Sequence, residues 1–257
     1  MLQLSSYFTL MATGFSLDEV VGPGTLGEKY LHGLDPTVGA TVNKWFALGV
    51  GVTTAVISAD DMLMIGVRRP ERENRVRASG FDITVAEGAQ VIADGLRDGI
   101  DHEELESALG LSDLNRATLE QVLQLDAERG GEILREQIDL HGVALRGLEE
   151  ELGLRAHQVR LQIVRFAVEW KTYQYGFVAV ARSDATAEEI NYYRNTRATH
   201  SKDIWRLEWQ PMADLGRIAR YLTDSGDRMW GFGWEAARAA LCSHHSQDEV
   251  TEYLLSL

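Results

Sequence analysis

The chain has 257 residues, 45% of them hydrophobic and 25% charged, which is ordinary globular composition with ample material for a sizeable core. Its formal net charge of −14 argues against duplex nucleic acid as a partner for the surface as a whole, since phosphates are repelled. A single cysteine, Cys242, excludes an intramolecular disulfide and gives no sign of an oxidising compartment. No segment approaches the roughly 20 apolar residues of a membrane span. The N-terminal "MLQLSSYFTLMATGF" lacks the basic flank of a signal peptide, so a cytoplasmic protein is expected.

Residues 1–44 read as an N-terminal extension packed on the domain, with turn signals at 22–24 and 35–36. From Trp45 the composition changes. "FALGVGVTTAVIS" and "DMLMIGVRR" flank the turn Asp60-Asp61 and read as two paired strands. "RASGFDITVAEGAQV" (77–91) reads as a third strand running into Gly88. Residues 92–142 are helical in character and strongly charged, with leucines and isoleucines at helical spacing through "LNRATLEQVLQLDAERGGEILREQI". A helix over 143–152 comes next. "HQVRLQIVRFAVEW" and "YQYGFVAVAR" read as two long strands, "DATAEEINYYRN" as a short helix or loop, and "DIWRLEWQP" as another strand. "MADLGRIARYL" and "WGFGWEAARAALCSHH" read as helices. Strands on both sides of a central helix, with helices closing the chain, predict one mixed α/β layered structure.

The helix at 144–154, "ALRGLEEELGL", carries the chemistry. Ala144, Leu145, Leu148 and Leu152 form an apolar stripe. Arg146 and Glu150 are an i,i+4 pair on the opposite side, and Gly147 and Glu151 lie on an adjacent track. Gly153 is placed to end the helix in the left-handed conformation. A run of three glutamates is tolerable on a solvated face. It also suits a hard divalent cation such as Mg²⁺, which takes oxygen ligands and often needs only one or two carboxylates plus substrate phosphates.

"RGLEEELGL" (146–154) resembles the second half of the Nudix box, G-x5-E-x7-R-E-U-x-E-E-x-G-U with U aliphatic. Arg146, Leu148, Glu150, Glu151, Gly153 and Leu154 match its defined positions. The order of strands over about 45–215 agrees with the family as well. The resemblance implies a Nudix-like α/β/α sandwich with a mixed sheet, and 216–257 adding C-terminal helices to the same domain. It implies Mg²⁺- or Mn²⁺-dependent hydrolysis of a nucleoside diphosphate linked to another moiety, with Glu150 and Glu151 holding the cation and Arg146 orienting them.

Two departures stand out. Gly147 occupies the position where the pattern has its first helical Glu. Eight residues before Arg146, where the pattern has another Glu, the chain has Ile138, so the upstream half of the box is read as broken, with 92–142 as a helical insertion. Glu87, at the end of a strand and beside Gly88, is the candidate to supply the absent carboxylate and to join the cation's ligands. Arg68 and Arg69 are candidates for substrate phosphates, with Arg72, Arg75 and Arg77 in the next loop, and Tyr175 (with Tyr173) for stacking a base. Glu188 and Glu189 are candidates for a late catalytic carboxylate. Cys242, His244 and His245 read as a buried thiol and a polar loop more readily than as a metal site, and Trp205 and Trp209 as core. The competing reading is a catalytically degenerate domain that binds a nucleotide or a protein partner. A homodimer is compatible with either.

Overall fold

The computed structural model describes residues 50–68, 81–82, 84–89, 94–97, 99–114, 117, 119–134, 139–169, 174–199, 204–225, 229 and 231–256. The expectations for the N-terminal extension, for Arg69, Arg72, Arg75 and Arg77, and for Tyr173 fall outside these residues.

Seven strands form one mixed sheet: β1 (Val50–Ile57), β2 (Met62–Arg68), β3 (Phe81–Asp82), β4 (Thr84–Gly88), β5 (Val159–Glu169), β6 (Gln174–Ser183) and β7 (Ile204–Pro211). The order runs β3-β2-β1-β6-β5, with β4 also beside β1 and β7 also beside β2. β1 and β6 pair in parallel from Val50↔Tyr175 to Ile57↔Arg182, and the other pairs are antiparallel. β-Branched residues dominate β1, and they suit a strand buried on both faces. The β1–β2 turn forms as the Asp60-Asp61 signal predicts. Asp61 takes a positive φ of 55°, and the Ser58 side chain accepts a hydrogen bond from the Met62 N–H.

Seven α-helices are present among the described residues: α1 (His102–Leu109), α2 (Leu119–Glu128), α3 (Leu140–Leu152), α4 (Ala187–Thr196), α5 (Leu215–Ser225), α6 (Gly231–Cys242) and α7 (Gln247–Leu255). None of the described helices is long and apolar enough to cross a membrane. The two-residue period of the strands separates two cores. Ala55, Ile57, Leu63, Ile65, Val178 and Val180 face Ile218 and Leu222 of α5, Ala236, Ala240 and Leu241 of α6, and Val250 of α7. Val56, Met64, Val85 and Ala181 face Leu148 and Leu152 of α3 and Ile190 of α4. The architecture is an α/β/α sandwich. Full burial of leucines such as Leu148 and Leu152 stabilises it by about 1.5–3 kcal/mol each.

The helical insertion is present, with two changes from expectation. The long helical run ends at Glu128, because Gly130 and Gly131 both take left-handed φ (72° and 80°), a conformation that terminates a helix. The glutamate helix starts earlier, at Leu140, because the Asp139 side chain caps it by accepting from the His141 N–H. α1 and α2 belong to a small lobe that precedes α3. Leu96, Leu105, Leu114, Val122 and Ile133 form a core separate from the two that flank the sheet. Its stem is closed by an antiparallel bridge, Leu96↔Leu134, and by a hydrogen bond from the Arg97 N–H to the Ile133 carbonyl at 3.0 Å. Asp126 of α2 locks the returning chain, its Oδ1 accepting from the Ile133 N–H at 2.7 Å and the Leu134 N–H at 2.9 Å.

Candidate functional site

α3 presents its stripe as the spacing predicts. Val143, Ala144, Gly147, Leu148 and Leu152 are buried, and Leu145 packs half-buried on the same core. Gly153 ends the helix at φ 68°, its N–H donating to the Glu149 carbonyl at 2.9 Å, while the Leu154 N–H reaches back to Leu148 at 3.2 Å. Of the three consecutive glutamates only Glu149 is exposed. Glu150 and Glu151 are half-buried, so the run is not a uniformly solvated face.

Arg146 is likewise not a surface residue paired simply with Glu150. Its side chain retains 19% of its exposure and sits among three carboxylates. Nε donates to Asp94 Oδ1 at 3.0 Å and Nη2 to Asp94 Oδ2 at 2.9 Å, a two-point fork. Nη1 donates to Glu87 Oε1 at 2.7 Å, and Nη2 also donates to the Gly88 carbonyl at 3.0 Å. Glu150 Oε2 lies 3.9 Å from Nη1. Asp94, 5% exposed at its side chain, is the most deeply buried member.

Asp94 is a member of this cluster that the sequence reading missed. It stands six residues after Gly88, the glycine-to-acid interval of the pattern that 146–154 resembles, with Asp in place of Glu. The lobe lies between Asp94 and Arg146, and its closed stem lets the two meet.

Electrostatics follow from burial. Loss of hydration raises the Glu87 carboxyl above its ordinary value. The positive charge and hydrogen bond of Arg146 oppose the rise, and the negative charges of Glu150 and Asp94 add to it. For Arg146 burial acts to lower the pKa, but the hydrogen bond to Asp94 and the charge of Glu87 outweigh it, so the guanidinium is held above its usual range.

The other candidates separate from this cluster. Glu189 is engaged at the N-terminus of α4, where it accepts from the Thr186 N–H at 2.8 Å in a capping box, and Glu188 is exposed in the same first turn. His245 Nε2 lies 2.7 Å from the Met212 carbonyl, the two histidine rings pack edge to face, and Cys242 is half-buried at the end of α6. Trp209 packs half-buried on the α3-side core. Arg68 ends β2, and Tyr175 is the second residue of β6, paired with Val50 of β1. Among the described residues no three His, Cys, Asp or Glu side chains are already gathered as a metal cage. Carboxylate oxygens are the kind of ligand a hard cation takes, and here both oxygens of Asp94 and one of Glu87 accept from Arg146.

No family model matches the sequence, and no curated protein matches it. Solved structures similar to this chain include that of DR0079 from Deinococcus radiodurans, at 16% identity over 78% of this chain and 88% of that one, with a TM-score of 0.39. A Nudix-family hydrolase from Clostridium perfringens is similar at 9% identity over 76% and 97%, with a TM-score of 0.37. The Nudix domain of Shewanella oneidensis NrtR, solved with ADP-ribose, is similar at 12% identity over 74% and 85%, with a TM-score of 0.33.

Proposed function

We propose that this chain is a Nudix-type hydrolase that cleaves the diphosphate bond of a nucleoside diphosphate linked to another group, with Mg²⁺ or Mn²⁺ as cofactor. The observation that carries the reading is the placement of Arg146. A half-buried guanidinium, fixed by Asp94, Glu87 and the Gly88 carbonyl, holds one turn of a helix whose next turn carries Glu150 and Glu151. Those two carboxylates would hold the cation, and Arg146 would orient them. A divalent cation, when bound, neutralises the diphosphate and lowers the pKa of a water for attack at phosphorus. Arg68 and Arg69 are assigned to the substrate phosphates and Tyr175 to the base, which is the chemistry guanidinium and phenol groups offer such a ligand.

One observation favours a second reading, a domain that binds a nucleotide or a protein partner without chemistry. No three metal-ligating side chains converge among the described residues, and Arg146 lies between two that approach each other.

A release assay over a panel of nucleoside diphosphate derivatives, with Mg²⁺, with Mn²⁺ and with chelator, separates the two. Metal-dependent release is expected, and Glu151→Gln should lower kcat by orders of magnitude while the melting temperature stays near that of the parent. Nucleotide binding without release under any condition supports the second reading. Equal activity of parent and variant on a confirmed substrate removes the first.

A further inference from the structure

β5 does not alternate regularly. Leu161 and Ile163 pack on the α3 face of the sheet, around the core of Val52, Val143 and Ala144. Strict alternation would put Arg165 on that face next. A bulge reverses it. Ile163 pairs with Ala179, but Arg165 pairs with Val178 and reaches Glu235 of α6 at 3.0 Å, on the other side of the sheet. Val164 is the extra residue. Phe166 is thereby turned to the α3 face, where its ring lies 5.3 Å from that of Phe177 at 59°. It remains 58% exposed. A bulge that re-aims an aromatic ring toward the surface, and not into a core, serves packing poorly.

The place that Phe166 reaches is in register with the Arg146 cluster. Glu87 of β4 pairs with Val52 of β1, Val52 with Phe177 of β6, and Phe177 with Phe166 of β5. Residues directly opposite in neighbouring strands share a face. Glu87 fixes that face at one end, since its Cβ lies 2.8 Å from where a Cβ on Gly147 of α3 would stand. Strands lie about 4.8 Å apart, so along this row Phe177 is about 10 Å from Glu87 and Phe166 about 14 Å. Ala89 follows Gly88, whose carbonyl accepts from Arg146. With Leu140, Ile163 and Phe177 it packs around one core, and all four are only partly buried. One end of the row is polar and the other is aromatic.

We propose that Phe166, backed by Phe177, is the platform on which the base of the nucleoside diphosphate stacks, with the phosphates directed toward α3. This rests on the hydrolase reading above. It adds Phe166 to the end of the sheet where Tyr175 stands, two positions before Phe177. A nucleotide has the same two-ended chemistry as the row: charge at its phosphates, and a flat ring held away from them by the sugar. Stacking accepts any base, because every base has a π-face, so Phe166 supplies affinity and not choice among bases.

The test is isothermal titration calorimetry of the full chain, in the presence of Mn²⁺, with ADP, GDP, CDP and UDP. Inorganic pyrophosphate, which has the phosphates and no base, is titrated alongside. The parent is compared with Phe166→Ala, Phe166→Leu and Phe166→Trp, with folding checked by circular dichroism. Phe166→Ala and Phe166→Leu should weaken each nucleotide that the parent binds by about tenfold or more and leave pyrophosphate unchanged, while Phe166→Trp keeps parental affinity. Should Phe166→Ala fail to fold, Phe166→Leu decides. Parental nucleotide affinity in these two variants overturns the inference. So does an equal loss for pyrophosphate, which a merely structural role would produce, or a loss in Phe166→Trp as large as in Phe166→Ala. Each of these leaves the hydrolase reading standing if the parent shows metal-dependent release. A parent chain that binds none of the four nucleotides overturns the inference, and one that also releases nothing from the panel overturns both.

Discussion

Asp94 and Arg146 are 52 residues apart in the chain and meet in a two-point contact, Nε to Oδ1 at 3.0 Å and Nη2 to Oδ2 at 2.9 Å. The fork is almost shielded from water on the Asp94 side, and it holds the guanidinium in the plane from which Nη1 reaches Glu87. Asp94→Asn sets an amide nitrogen, which has no lone pair to offer, against one arm of the fork, while Glu87 and Glu150 stay beside Arg146. It should therefore destabilise the chain by about 1–3 kcal/mol, read from the shift of its urea unfolding curve. Arg146→Lys keeps the charge but not the fork, and a smaller loss is expected. An unchanged midpoint for Asp94→Asn would mean that the contact contributes nothing net.

Gly153 ends α3 where α4 passes over it. A Cβ there would meet both the Arg197 Cβ and the Tyr193 carbonyl oxygen at 2.8 Å, and its φ of 68° is unfavourable for any L side chain. Gly153→Ala adds a left-handed penalty to overpacking against backbone, so a loss of about 2–4 kcal/mol in thermal or chemical unfolding is predicted. If the variant melts with the parent, α4 yields more readily than its packing indicates.

The lobe should unfold on its own. Leu105 is 2% exposed within a core that the sheet does not share. Leu105→Ala removes about 2–5 kcal/mol of local stability. Hydrogen exchange should then speed up at amides in α1 and α2 while β1 and β6 keep their protection. Loss of protection in the sheet as well would show that the lobe and the sandwich form one cooperative unit.

Two helix caps set a pH dependence. The Glu189 carboxyl lies below its ordinary value of 4.5, mainly because it accepts from the Thr186 backbone N–H and then from its hydroxyl. Glu249 is lowered in the same way, by the Ser246 hydroxyl first and its backbone N–H second. With folded values below the unfolded one, both caps contribute fully above pH 4.5, and the contribution is lost as pH falls through the lowered values. Carboxyl carbon shifts in a nuclear magnetic resonance titration should show both midpoints below an ordinary glutamate's. Thr186→Ala should raise the Glu189 midpoint and leave that of Glu249 in place.

Much of this architecture is legible in the residues themselves. The stripe Ala144, Leu148, Leu152, the turn at Asp60-Asp61 and the stop at Gly153 each depend on neighbours a few positions away, and each forms as its spacing predicts. The acidic cluster is legible only in part. Glu87 is suggested by its place beside Gly88, and the structure brings it to Arg146. Asp94 escapes because it meets Arg146 from 52 residues away, across the lobe, so no count along the helix leads to it. The end of α2 at Glu128 escapes for a local reason. Leucine and isoleucine periodicity continues past Gly130 and Gly131, and it masks two residues whose left-handed backbone stops the helix.

The Leu96↔Leu134 bridge has a wider meaning for how such a chain can vary. Departure and return at one point mean that neither anchor moves when the segment between them grows or shrinks. The entropic cost of doubling such a loop is only about 0.6 kcal/mol. A longer or shorter segment between Leu96 and Leu134 would thus leave the two-point contact of Asp94 with Arg146 in place.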